Sequence, residues 1–183
     1  LLIGLFLVIA WPAVYFPQKF QVVDYDTGEP IADALVFVNY LKYSRMKYLL
    51  EWVPTGHGLN FTNCFGLLLT KTDKQGYFEA PFKIGFFGSL GVWPFAYKQG
   101  YRHKDRWLIA SEKEKGNTVY LVKDLRSSTE KIDYIDHHVF WSACKNRGQR
   151  NKLDKYCYFE MKKIAETPED FQKLKEFERH TRY

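Results

Sequence analysis

Four polar side chains crowd the short stretch DYIDHH, Asp133 to His138, where a helix is predicted. Carboxylates and imidazoles can bind a metal ion, and Asp133 and His137 are at i, i+4 spacing on one helix face. The adjacent His137 and His138 project about 100° apart, so both cannot easily hold one ion. We interpret the stretch, including Asp136, as a polar helix surface. A metal-dependent enzyme using Asp133 and His137 is our third functional hypothesis.

The other histidines and the search for catalytic motifs give little indication of a catalytic or metal-binding site. His57 lies between glycines and His103 lies in a charged loop, and neither has a third ligand at a metal-binding spacing. The sequence contains no nucleophile elbow and no phosphate-binding glycine loop. We therefore predict that the protein is not an enzyme and has no metal or cofactor. A small-ligand or glycan site with His57 or His103 is our second hypothesis.

Three cysteines, Cys64, Cys144 and Cys157, match neither a zinc-binding spacing nor a Cys-x-x-Cys redox pair. In an oxidising compartment, Cys144 and Cys157 could form a disulfide across a short helical hairpin. The two other pairings stay open, because spacing alone does not select the partner.

The composition indicates one globular domain with extensions. The chain has 183 residues and 46% hydrophobic residues, enough to bury a core, and its 18% aromatic content favours strands. The formal charge of +6 comes without a Lys/Arg block or an RNA-binding motif. We interpret it as a solvated basic surface and predict no nucleic-acid partner.

The N-terminal stretch is apolar, since no charged side chain occurs from Leu1 to Phe16. As a helix it would span roughly 24 Å, slightly less than a bilayer core. Trp11 stands where a signal-peptide cleavage site needs a small residue. We predict an uncleaved signal-anchor helix over residues 1–18 with the remainder on the periplasmic side, although Lys19 favours the opposite orientation. A buried strand or core helix is the alternative.

Residues 19–125 contain about seven short runs of alternating or β-branched residues. Two turns, DTGEP and DKQG, separate pairs of these runs. Gly28 and Gly76 are predicted to supply positive φ, while Asp26 and Asp73 accept backbone hydrogen bonds. This spacing predicts a small, seven-stranded antiparallel β-sandwich.

Two aromatic insertions interrupt the strands, at residues 41–66 and 82–95. Large aromatic side chains in loops bury much area on binding, although they can equally act as lids over a core. The candidate contact residues are Trp52, Phe86, Phe87 and Trp93. Pro94 predicts an edge position for its strand.

The period becomes helical after Ser127, and Thr167 followed by Pro168 predicts the start of a last helix. Three amphipathic helices over residues 126–183 are expected to cover the β-domain or to bind a neighbour.

Four segments, VVDYDTGEPIADALVFV, TKTDKQGYFEAPF, KQGY and TVYLVK, together resemble the transthyretin-like, carboxypeptidase regulatory-like domain of bacterial envelope proteins. The matching positions are Thr27, Gly28, Pro30, Ile31, Ala34, Val36, Thr70, Thr72, Asp73, Gly76, Tyr77 and Phe78. Asp33 stands where that family has a glycine. The resemblance covers residues 20–123 and implies a sandwich that commonly serves folding or interaction without a catalytic centre.

The resemblance and the apolar N-terminus together predict a non-enzymatic, membrane-anchored protein of the bacterial cell envelope. It is expected to act as an accessory, scaffolding or assembly subunit of a larger membrane or surface complex. Its predicted partners are the protein subunits of that complex and, through the N-terminal helix, the lipid bilayer.

Overall fold

The computed structural model describes residues 13–43, 62–85, 89–104, 116–140 and 147–181. The strands described in these ranges are β1 (Ala13–Tyr15), β2 (Gln18–Asp24), β3 (Leu35–Tyr43), β4 (Thr62–Lys71), β5 (Tyr77–Ala80), β6 (Lys83–Gly85), β7 (Ser89–Tyr97), β8 (Tyr101–His103) and β9 (Thr118–Lys123). The helices are α1 (Ser128–Tyr134), a π-helix (Ile135–Phe140), α2 (Arg147–Ile164) and α3 (Pro168–Thr181).

The described strands form three small sheets. Sheet I has the order β5-β2-β9-β8, sheet II has the order β4-β3-β7, and β1 pairs with β6 in a two-stranded ribbon. The mixed β and C-terminal α architecture predicted from the sequence is confirmed. Nine strands are described where about seven were predicted, and the parallel pairing of β2 with β9 departs from the predicted all-antiparallel order. Pro94 lies in β7, an edge strand of sheet II, as predicted.

Strand β3 is buried on both of its faces, which explains the apolar run from Leu35 to Val38. Val36, Val38 and Tyr40 pack in one core against residues of sheet I. Leu35 and Phe37 point to the opposite side and pack in a second core that includes the helices. The side chains alternate because successive residues of a strand project to opposite faces. The layers are therefore sheet I, sheet II and helices, in that order.

The helices cover the outer face of sheet II with the apolar stripes that the sequence indicates. Each helical segment contributes buried side chains to the second core, namely Ile132, Ile135, Val139, Leu153, Cys157, Met161, Leu174 and Phe177. Of the two expectations for these helices, covering the β-domain is confirmed. In the last helix, Leu174 and Phe177 are buried, whereas Phe171 is 47% exposed.

The two predicted turns form, but the first has a different hydrogen-bond acceptor. Gly28 and Gly76 have φ of 75° and 74°. Asp73 Oδ1 accepts the backbone N–H groups of residues 75 and 77, at 2.9 and 2.8 Å. In the first turn, the acceptor is Asp24 rather than Asp26: Asp24 Oδ1 accepts the N–H groups of Asp26 and Thr27 at 2.8 and 3.1 Å. The expectation for Asp26 was wrong because the turn begins at Asp24, two residues earlier.

The predicted signal-anchor helix over residues 1–18 lies largely outside the described residues. Its final part is not helical, since Ala13–Tyr15 form β1 and β2 begins at Gln18. For this part, the alternative prediction of a strand describes the structure, since Ala13–Tyr15 pair with Lys83–Gly85 of β6. In the part of the chain that the structure describes, no helix combines the length and apolar character needed to cross a bilayer.

The two turn glycines provide a matched test of steric fit. A Cβ at Gly76 would lie 2.6 Å from the Val22 carbonyl oxygen and 3.1 Å from the Ile31 nitrogen, whereas one at Gly28 meets nothing within 4 Å. Since both have positive φ, Gly28→Ala is expected to cost about 1–2 kcal/mol. Gly76→Ala should cost roughly 1–3 kcal/mol more, from overpacking. Urea unfolding of both variants measures the difference, and equal losses would contradict this packing.

Candidate functional site

An open cleft of about 410 Å³ lies where the β-domain passes into the helices. Its lining residues are Arg126, Glu130, Asp133, Tyr134, His137 and His138. The histidines come from the π-helix, a local widening that is frequent at functional sites. The cleft therefore includes most of the polar stretch that the sequence singles out.

Helix α1 begins next to the cleft because Ser127 caps it. Ser127 Oγ accepts the N–H of Glu130 at 3.3 Å, and the Glu130 carboxylate accepts the N–H of Ser127 at 3.0 Å. This reciprocal pair satisfies two of the N–H groups that a helix start leaves without partners. The capping fixes the direction in which α1 leaves strand β9.

The Arg126 guanidinium is held in place by a buried carboxylate. Arg126 donates two hydrogen bonds to the two oxygens of Asp124, at 2.8 and 2.6 Å, and lies 4.8 Å from the centre of the Tyr134 ring. Burial acts to raise the pKa of Asp124, but the hydrogen bonds and charge of Arg126 outweigh it and leave the pKa lowered. The cleft thus has a fixed cation beside an aromatic face.

Tyr134 forms the floor of the cleft and ties α1 to sheet I. Its hydroxyl accepts the backbone N–H of His103 at 2.7 Å, and its ring stacks with His138 at 5.1 Å between centroids. Burial raises the pKa of Tyr134 to about 12, so the phenol stays protonated at neutral pH. It therefore contributes packing and a hydrogen bond at the base of α1.

The Asp133 carboxylate is engaged by a lysine from another helix. Lys173 Nζ lies 2.6 and 2.7 Å from its two oxygens. His137 Nδ1 lies 3.2 Å from the Asp133 backbone oxygen and 3.8 Å from the Asp136 carboxylate. The Asp133 carboxylate and the His137 ring are thus bound to different partners and are not directed at one position where both could bind the same ion. Among the described residues, no three His, Cys, Asp or Glu side chains are grouped so that they could hold a metal ion.

The histidines proposed for a ligand site are only partly described, since His57 lies outside the described residues. The His103 ring stacks on Phe95 at 4.6 Å, and its Nδ1 lies 2.8 Å from the Lys104 carbonyl oxygen. Phe95 in turn stacks on Phe37 at 4.7 Å. His103 is thus part of an aromatic row that joins sheet II to β8.

The carboxylate of Asp170 joins the starts of α1 and α3. Its oxygens accept the hydroxyls of Ser128 and Thr129 at 2.8 and 2.7 Å and the N–H groups of Glu166 and Thr167, both at 3.0 Å. The Asp170 N–H bonds to Thr167 Oγ1 at 3.2 Å, as expected for the predicted N-cap. Burial acts to raise the pKa of Asp170, but these hydrogen bonds outweigh it and hold the pKa well below its usual range.

Of the four predicted contact residues, Trp52, Phe86 and Phe87 lie outside the described residues. Trp93 is 49% exposed. It lies on the outer face of sheet II, because the strand register places it on the same face as Phe37 and Phe95. Trp93 therefore remains a candidate contact residue.

The cysteines pair differently from the prediction. Cys64 is disulfide-bonded, whereas Cys157 is a buried thiol in the helical core. The structure therefore does not contain the predicted disulfide between Cys144 and Cys157. Cys157 lies on the inner, apolar face of α2, where it packs in the helical core. Cys144 itself lies outside the described residues.

Sequence reasoning missed Arg126, Tyr134 and Asp170. The spacing of Asp124 and Arg126 directly after a strand could have indicated their ion pair. Tyr134 is one of 13 tyrosines and carries no local signal. Asp170 is recognisable as an acid in the first turn of α3, but its contacts to α1 depend on the tertiary structure.

Comparison of the chain with protein-family models, curated proteins and solved structures finds no match in any of the three.

Replacing Asp170 by Asn should destabilise the protein by about 3 kcal/mol, because a buried carboxylate with four donors loses charge-assisted hydrogen bonds. Glu169→Gln, one residue earlier and exposed, makes the same charge change and should stay within about 0.5 kcal/mol. The pKa of Asp170 is depressed in the folded state, so its contribution is present above about pH 4 and declines as the pH falls further.

Urea unfolding of the Asp170→Asn and Glu169→Gln variants between pH 7 and pH 2 measures both effects. The deficit of Asp170→Asn should shrink in acid, and a deficit that does not change with pH would contradict the role of the charge.

Non-reducing peptide mapping tests the cysteine assignment. Cys64 should be recovered in a disulfide. Cys157 should react with iodoacetamide only after unfolding, because burial shields the thiol. A peptide linking Cys144 to Cys157 would refute this arrangement.

Proposed function

We propose that this chain is a non-enzymatic, membrane-anchored protein of the bacterial cell envelope. In this proposal, a transthyretin-like, seven-stranded sandwich with a helical cover acts as an accessory, scaffolding or assembly subunit of a larger membrane or surface complex. The apolar N-terminal residues attach it to the bilayer, and the globular part lies on the periplasmic side.

The observation that carries the proposal is how the polar groups are used. Five carboxylates are buried among the described residues, and three of them, Asp24, Asp124 and Asp170, accept hydrogen bonds that shape a turn, an ion pair or a helix start. Large aromatic side chains, by contrast, lie at the surface, including Trp93 and Phe159. Such residues suit protein contacts, because they bury much area at a modest entropy cost.

The arrangement of the two larger sheets supports the transthyretin-like part of the proposal. Sheets I and II share one apolar core and together contain seven strands, while the ribbon of β1 and β6 adds the others described. The turns with Gly28 and Gly76 lie in the two motifs on which the resemblance rests. A fold of this kind does not specify a catalytic reaction.

The disulfide at Cys64 supports a location in an oxidising compartment. Disulfides persist in the periplasm and outside the cell, whereas cytosolic reductants keep most thiols reduced.

A second candidate is a small-ligand or glycan-binding envelope protein. It is favoured by the volume of the cleft, which falls in the range of ligand sites, roughly 300–1,000 Å³. The stacked rings of Tyr134 and His138 would suit the apolar face of a sugar ring, and the Arg126 and Glu130 side chains beside them offer groups for hydrogen bonds to its hydroxyls.

Affinity purification from gently solubilised membranes tests the first candidate. The tagged chain should recover stoichiometric protein partners, and Trp93→Ala should reduce that recovery because it removes a large aromatic side chain from the outer face of sheet II, the proposed contact surface. Leu125→Ala, at a 92% exposed position in the loop before α1, is the matched control and should leave recovery unchanged.

A lone, monodisperse protein would speak against the subunit role. If its melting temperature then rose with added glycans, and His138→Ala abolished that rise, the ligand-binding candidate would replace it.

A further inference from the structure

The ribbon of β1 and β6 has one inner and one outer face. Tyr15 pairs with Lys83, and Tyr15 points inward, where its ring packs edge-on against Tyr40 at 5.9 Å. Val14 pairs with Ile84 on the opposite side, and these side chains are 43% and 45% exposed. The alternation of strand residues therefore places an apolar cross-strand pair on the outside.

Two phenylalanines extend this outer pair. Phe16 directly follows β1 and Phe82 directly precedes β6, and their ring centroids are 6.4 Å apart. Phe16 is 70% exposed and Phe82 is 47% exposed. We refer to Val14, Phe16, Phe82 and Ile84 as the ribbon face. The ribbon face places four large apolar side chains side by side, which distinguishes it from scattered exposed residues.

The size of the ribbon face argues against a stable protein interface. Four side chains at about half exposure offer a few hundred Å², whereas a standard protein interface buries roughly 800 Å² on each partner. A small apolar surface is sufficient for a lipid contact when the adjacent N-terminal segment of the same chain already holds it near the bilayer.

The sequence next to the ribbon face indicates the occupant. The chain carries no charged side chain from Leu1 to Phe16, so the apolar segment continues without interruption into the ribbon face. Lys19 follows two residues after Pro17 and is exposed. Aromatic residues beside a basic side chain are typical of the boundary between acyl chains and headgroups.

We propose that the ribbon face inserts into the headgroup boundary of an anionic phospholipid bilayer and fixes the orientation of the β-domain on the membrane. This inference rests on the membrane attachment proposed above. It adds a second contact, formed by folded strands, and assigns Phe16 and Phe82 as its main lipid-facing residues. Tyr15 of the ribbon packs in the core between sheets I and II, whereas the helices pack on the other face of sheet II, so in this arrangement the helices stay in water.

Fluorescent labelling of two matched positions tests the contact. In the full chain, Phe82→Cys and Phe171→Cys are each labelled with a nitrobenzoxadiazole probe, since the two phenylalanines are equally exposed, at 47%. The labelled chains are mixed with vesicles of phosphatidylethanolamine and phosphatidylglycerol, and vesicle flotation is measured on the same samples. The unsubstituted chain, treated with the same reagent, corrects for labelling of native cysteines.

With vesicles, the probe at position 82 should shift its emission to shorter wavelength and lose intensity to quencher-bearing lipids, while the probe at position 171 should do neither. If the chain floats with the vesicles but both probes stay aqueous, the ribbon contact is wrong and membrane attachment stands. If the chain does not float, both proposals fail. A shift at position 82 that appears without vesicles and grows with protein concentration would assign the ribbon face to a second copy and overturn the lipid contact.

Discussion

The double burial of strand β3 is the constraint on which the rest of the structure depends. Its inner side chains, among them Val36 and Tyr40, need sheet I, and its outer side chains, Leu35 and Phe37, need the helices. A two-faced apolar strand is stable only when both faces are removed from water. The C-terminal helices are consequently part of the folded unit, since without them the outer face of sheet II would be exposed.

Three buried carboxylates organise polar parts of the described structure, two through local contacts and one between distant segments. Asp24 closes the first turn, Asp124 fixes Arg126 beside the cleft, and Asp170 joins the starts of α1 and α3. A buried charge is costly unless hydrogen bonds satisfy it, and each of these groups has such donors. These three carboxylates thereby stabilise the architecture, and this supports the contact role proposed above.

The proposed roles use separate groups of residues. The ribbon face is formed by β1, β6 and their flanking phenylalanines, whereas Trp93 lies on the outer face of sheet II, and the cleft is formed by α1 and the π-helix. In the proposed function, attachment to lipid and contact with protein partners therefore do not compete for the same side chains. A fixed orientation on the bilayer would lower the entropic cost of meeting a partner in the same membrane.

The sequence by itself determined the local features: the positive φ of Gly28 and Gly76, the cap at Thr167, and the change from strands to helices near Ser127. These follow from side chains acting on their own backbone within a few residues. Only the tertiary structure decided which distant groups meet. Lys173 neutralises Asp133 from another helix, β2 pairs in parallel with β9, and Ala13–Tyr15 extend against β6 instead of continuing an apolar helix. Such choices depend on competition among packed surfaces, and no local pattern records that competition.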